Sequence, residues 1–295
     1  MTTSEPGDGL TASQRELWIA LLASRAAGGP RRAVKHLLQA GRAHLLTLIA
    51  ELSEVERSDA HNTAVRLHDA GVQALLCDDP RYPDRLRCFA GSPPVLFCRG
   101  NVDLLKGSAV GVCGARDAST EAIRAARACG QDAARLGVTV VSGYAKGVDT
   151  ESHLAALNAS GSTIAVLAEG IDHFRVKTSY RGLPEAALGR MLVISQFPPG
   201  QRWTAGAAMT RNHVIVGLAH ALVVVEARES GGTLKAGELA LKEKRRLLVL
   251  AGSVEVSQGN KQLLTAGARR IGNRAELVDA FGRLDTEQPQ QLRLG

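Results

Sequence analysis

The chain has 295 residues, 45% hydrophobic and 22% charged, enough to bury a substantial core in one large domain with a smaller companion. Its net charge of +7 permits a polyanion held through phosphate contacts, though an arginine-rich solvated surface accounts for the same excess. Aromatic residues at 3% argue against a grip built on stacking many bases, and no run of about 18 apolar residues is present to span a bilayer.

The opening MTTSEPGDGL is polar and does not read as a secretion signal. Cys77, Cys88, Cys98, Cys113 and Cys129 are scattered without a C-x-x-C pair, so neither a zinc site nor a disulfide framework is indicated, and a reducing, cytoplasmic setting is expected. Residues 1–10 are expected to form a disordered leader. Residues 11–75 read as a small helical domain, with apolar residues at helical spacing in "SQRELWIALLASRA". Gly28-Gly29-Pro30 turns the chain into a second helix that begins with Arg31, Arg32 and Lys35. That pattern suits a helix-hairpin-helix, and equally a plain helical pair. Residues 76–106 form a proline-rich connector in which "VLFCRG" is a candidate extra strand.

From 107 to 284 short apolar runs alternate with helical stretches. Strands are predicted at 109–114, 137–143, 163–168, 191–197, 220–227 and 246–252, with a closing helix in "NRAELVDAFGRL" and a loose tail over 285–295. Continuous apolar strands separated by helices imply an α/β, Rossmann-like, doubly wound and mostly parallel sheet. Ligands of such sheets bind beyond the carboxyl ends of the strands, where strand order reverses.

Three strand-end loops have the composition for anions. "GVCGARDAST" carries Gly114 and Arg116, with Asp117, Ser119 or Thr120 to cap the next helix. It is not G-x-G-x-x-G, which disfavours NAD or FAD, and no cofactor is expected. "VVSGYAKGVDTESHLAAL" carries Ser142, Gly143, Lys146 and Gly147, then Asp149 as helix cap and His153 one turn on. A structural role for the Asp/His pair outweighs acid–base chemistry, because no nucleophile is placed to use it. "EARESGGTLKAGELAL" opens a helix with Gly231, Gly232 and Thr233. Its likeness to the PGGxGTxxE signature of phosphoribohydrolases is poor, so Glu238 is not assigned as a catalytic acid. Lys177, Arg202 and Arg211 add cations in the remaining loops. A rim of cations fits a chain of phosphates better than a single pyrophosphate.

Taken in order, "GARDAST", "SGYAKGVDTESHLAAL", "TIAVLAEGID", "PPGQRWTAGAAMTRNHVIVGLAHALVVVEARESGGTLKAGELALKEKRRLLVLAGS" and "QGNKQLLTAGA" resemble the DNA-processing protein A (DprA/Smf) family. The resemblance implies a non-enzymatic, cytoplasmic, dimeric protein that binds single-stranded DNA and helps load the RecA recombinase during natural transformation. It places Arg116 on the family's G-S-R loop and Lys177 near its third-strand cation. Ser142, Gly143, Gly147, Asp149 and His153 fall on its SG motif, Arg211 and Asn212 on its R-N element, and Gly231 to Thr233 on its S-G-[ST] turn. Gln196, Ala251, the 172–180 loop, Tyr144 and Lys146 depart from the family pattern, as a specialised relative in phage defence would. The alternative reading is a sensor or hydrolase of a nucleotide-derived small ligand.

Overall fold

The computed structural model of the protein describes residues 7, 9–252 and 255–284; most of the expected leader and the whole expected tail lie outside the described residues. Four helices come first: α1 (Ala12–Ala26), α2 (Pro30–Lys35), α3 (Gly41–Ala50) and α4 (Glu54–Asp69). α1 and α4 each begin with a capping box, Thr11 with Gln14 and Ser53 with Glu56, which satisfies two orphan N–H groups reciprocally. Gly28 and Gly29 turn the chain at φ 70° and 129°, and Pro30 enters the first turn of α2, where no N–H is needed. A π segment, His36–Ala40, then links α2 to α3. Trp18 anchors the layer: it is 1% exposed and its indole N–H donates to the Arg57 carbonyl at 3.0 Å.

Nine strands follow among the described residues: β1 (Val72–Leu76), β2 (Val95–Arg99), β3 (Ala109–Cys113), β4 (Thr139–Ser142), β5 (Thr163–Val166), β6 (Met191–Ser195), β7 (Ala221–Val224), β8 (Arg246–Leu250) and β9 (Arg269–Ile271). They form one sheet in the order β1-β2-β6-β5-β4-β3-β7-β8-β9. β1 and β2 pair antiparallel, β2 joins β6 antiparallel, and the rest is parallel. All six expected core strands are present and "VLFCRG" supplies β2. The helical reading of residues up to 75 is corrected at its end: Val72–Leu76 is a strand, because Gly71 at φ 74° stops the helical run and Leu75 faces Leu96 across the ladder.

The remaining helices are α5 (Asp84–Arg87), α6 (Thr120–Arg135), α7 (Val148–Asn158), α8 (Glu185–Leu188), α9 (Ala205–Leu218), α10 (Gly232–Lys242), α11 (Gln258–Thr265) and α12 (Arg274–Gly282). Strand residues alternate between two cores. Val110, Val112, Val140 and Val223 meet Ala126 and Cys129 of α6 and Phe281 of α12. Val141, Leu222 and Val224 belong to the other core with Ile215 of α9 and Leu234 of α10, and the N-terminal helices α1 and α4 join that core through β1. Helices on both faces make the sheet doubly wound, which is why its central strands β3 to β7 are almost wholly apolar and buried. Between β5 and β6 the connection is mostly irregular, holding short 3-10 turns at Ile171–His173 and Thr178–Tyr180 and the four-residue α8. β3 lies between β4 and β7, so strand order reverses there and the loops after these strands share one crevice.

Candidate nucleic-acid interface

The loop after β3 has little freedom. A Cβ on Gly114 would fall 2.3 Å from a Val148 methyl, so only glycine lets α7 approach. The Ala115 N–H donates to the Glu226 carbonyl at 2.9 Å, tying this loop to the end of β7. Ser119 is the cap of α6: its hydroxyl oxygen accepts from the Ala122 N–H at 3.1 Å while its O–H donates to the Glu226 carboxylate. Arg116 stands exposed between these anchors, its guanidinium carbon 5.5 Å over the Trp203 ring.

The loop after β4 is pressed onto the first. Gly147 sits at φ 71°, and a Cβ there would lie 2.4 Å from the carbonyl oxygens of both Ala115 and Arg116. The Val148 N–H donates to Ala115 O at 3.3 Å. Lys146 is therefore held beside the Arg116 backbone, with its side chain exposed. Ser142 has another role than the phosphate contact expected of it. It is fully buried and donates to Val112 O at 2.6 Å, cross-linking β4 to β3. Asp149 is not the cap of α7, a position taken by Gly147; it is buried within the first turn and accepts from the Ala145 N–H at 3.3 Å.

Arg211 is also corrected as an exposed rim cation. It lies in the middle of α9, 6% exposed, with its guanidinium 4.0 Å from the Asp149 carboxylate and filling the space that a Cβ on Gly143 would need. Burial pushes the Arg211 guanidinium down and the Asp149 carboxyl up, and the attraction between the two opposes both shifts. Two charges buried this way are tolerable because they are paired. Lys177 is half-buried: its Nζ donates to the Tyr144 carbonyl and lies 4.3 Å over the Tyr144 ring. Burial lowers its pKa, Asp149 raises it, and Arg116 and Arg211 lower it further. Arg116, Lys177, Arg211 and Asp149 thus share one electrostatic neighbourhood, with Arg116 and Lys146 at the surface.

Tyr144 organises this neighbourhood. Among the described residues it is one of three non-glycine residues at positive φ, 54°, a strained conformation for a bulky side chain. Its hydroxyl accepts from the Lys177 N–H at 3.1 Å and donates to Arg175 O at 3.2 Å. The same 169–177 loop is braced from outside, where Arg66 of α4 forms a two-pronged ion pair with Asp172, both contacts 2.8 Å. Neither connection was legible in sequence, since the partners lie 33 and 106 residues apart.

On the other side of β3, Gly231 at φ 115° leads into α10, with Gly231 and Gly232 exposed and Thr233 partly so. Asn212 does not point to solvent alone: its amide donates to Gly232 O at 3.0 Å and joins α9 to the start of α10. Glu238 is exposed and pairs with Lys235 at 2.8 Å. A cavity of about 1100 Å³ opens past the ends of β7, β8 and β9, lined by charges of both signs, Glu121 and Glu226 against Arg124 and Lys261.

Fold and crevice define a Rossmann-like α/β protein whose exposed cations gather at the strand-order reversal. The chain belongs to the DNA recombination-mediator protein A family, whose family model matches residues 73–282. It is 34% identical over 205 residues to the DNA processing protein DprA of Streptococcus pneumoniae, covering 69% of this chain and 72% of that protein. The crystal structure of DNA processing protein A from Streptococcus pneumoniae superposes with a TM-score of 0.66 at 26% identity, over 92% of this chain and 94% of that one. The Helicobacter pylori DNA processing protein A, whose structure addresses its single-stranded DNA binding mode, shares the fold at a TM-score of 0.62 and 23% identity, over 71% of this chain and 94% of that one. Among the described residues no helix is long and apolar enough to cross a membrane.

Proposed function

We propose that this protein is a single-stranded DNA-binding recombination mediator that captures the strand by its phosphates and performs no covalent chemistry. The observation that carries the reading is the juxtaposition of exposed Arg116 and Lys146, forced by the packing of Gly147 onto the Ala115 and Arg116 carbonyls. Two cations on neighbouring strand-end loops suit successive phosphates, and half-buried Lys177, close enough to interact with Arg116, adds to the field. The exposed Gly231-Gly232 start of α10 offers further N–H donors, and Gly114, Gly143, Asn212 and Thr233 shape the rim. Asp149 and His153 are structural: both are buried, and burial holds the imidazole neutral down to about pH 3, unsuited to proton transfer with an exposed substrate.

Family membership supports the finer assignments: a cytoplasmic homodimer that protects incoming strands and hands them to RecA in natural transformation. Two grooves in a dimer would raise affinity by avidity. The small-ligand alternative gains nothing from the cavity beyond β8, where opposite charges offset each other.

A gel-shift titration with long oligo-dT and with duplex DNA tests the proposal. Oligo-dT binding by the wild type and a loss of about tenfold or more in Arg116→Glu are expected. Unchanged affinity in Arg116→Glu contradicts the assignment of Arg116.

A further inference from the structure

We infer that Trp203 is a nucleobase platform beside the Arg116 phosphate contact, so that the site takes a base together with its phosphate. The inference rests on the single-strand reading above and deepens it. Trp203 is 48% exposed, although it is the largest kind of apolar side chain. Its ring carries the Arg116 guanidinium at 5.5 Å, so the cation that meets the phosphate already packs on the aromatic group. A ring held by a cation and still half open to solvent has the features of a stacking surface for a base. Met209 of the following helix, 39% exposed, adds a second apolar side chain on this rim, 3.7 Å from where a Cβ on Gly232 would lie.

The platform stands on fixed backbone. Gly170 packs so closely on Pro198 and Pro199 that a Cβ would fall 2.0 Å from the Pro199 oxygen. The Gly170 N–H donates to Gln201 O at 2.7 Å, the Asp172 N–H to Pro199 O at 3.2 Å, and His173 Nε2 to Gly200 O at 3.0 Å. One residue beyond Trp203, the Thr204 hydroxyl accepts from the Ala207 N–H at 3.0 Å and caps α9. Trp203 is thus bracketed between a pinned turn and a helix start, so little ordering is required when a base arrives. Bases of a duplex are already stacked on their neighbours and offer no free face. The ligand class is therefore a strand with accessible bases, and Trp203 is a determinant of that choice.

The test uses intrinsic fluorescence and matched strands. The chain has two tryptophans, and Trp18 is buried at 1% exposure, so a change on binding belongs to Trp203. Full-length protein is titrated with oligo-dT and with an abasic sugar–phosphate strand of equal length. The inference expects oligo-dT to quench the emission and the abasic strand to leave it nearly unchanged. Trp203→Leu should lose about tenfold in affinity for oligo-dT while keeping its affinity for the abasic strand, and Trp203→Tyr should recover most of that loss. Equal losses on both strands in Trp203→Leu would make Trp203 only a support for Arg116 and overturn the platform. Wild-type binding to both strands with equal affinity and no quenching would overturn it too, while leaving the phosphate-capture reading in place. Failure of the wild type to bind either strand would remove both.

Discussion

His153 shows how far a single residue's role is fixed by its partners. The Thr163 hydroxyl donates to Val140 O at 2.9 Å, so its oxygen can only accept, and the proton in the contact with His153 must sit on the imidazole Nδ1. Nε2 is buried as well, beside the Ser142 backbone. Burial, then the positive charges of Lys177 and Arg211, push the imidazole down from 6.5 to about 3. The unfolded chain therefore binds a proton below about pH 6.5 that the folded chain refuses until about pH 3. Stability conferred by the neutral ring is fully present above pH 6.5 and declines as pH falls through that window. The limiting slope is roughly 1.4 kcal/mol per pH unit. Denaturant unfolding between pH 7 and pH 5 should show His153→Gln with a flatter pH dependence than the wild type. Parallel profiles would mean that His153 is not held neutral.

At the scale of elements, the 169–177 loop joins the helical layer to the crevice. Arg66 of α4 holds Asp172, and the same loop presents Lys177 to Tyr144. An ion pair this exposed contributes little to global stability, about 0.2–1 kcal/mol; its consequence is the placement of the loop. Arg66→Asp should weaken oligo-dT binding about two- to fivefold with the melting temperature nearly unchanged, since only a pair of about that energy is lost. The charge-swapped double variant Arg66→Asp with Asp172→Arg should restore affinity. No recovery in the swap would place the effect elsewhere. The six core strands were legible because each is an unbroken apolar run buried on both faces. β1 was not: "VQALL" has the composition of a helix and becomes a strand by pairing with β2. β9, the three residues Arg269–Ile271, exposes both arginines at the sheet edge and gives no apolar run to read. The loops of the site were legible from glycines and their position after strands. The burial of Arg211 was not, because it follows from Asp149, distant in sequence, reaching it and from the absence of a side chain at Gly143.

For the whole molecule, the topology does the collecting. One reversal of strand order puts the ends of β3, β4 and β7 side by side, and loops distant in sequence bring exposed and half-buried cations into one field. The two cores beneath fix those loops to the sheet, and the Asp149–Arg211 pair neutralises charge in the interior while Arg116 and Lys146 remain at the surface. Capture of a phosphate chain by such a surface is governed by counterion release and must be steeply salt-dependent. The most direct measurement is the dissociation constant for oligo-dT across about 50 to 200 mM salt, for the wild type, Arg116→Ala and Lys146→Ala. Phosphate capture predicts a linear log–log loss of affinity that becomes shallower by about 0.7 for each phosphate contact removed. Binding that ignores salt, or slopes identical in all three proteins, would contradict it.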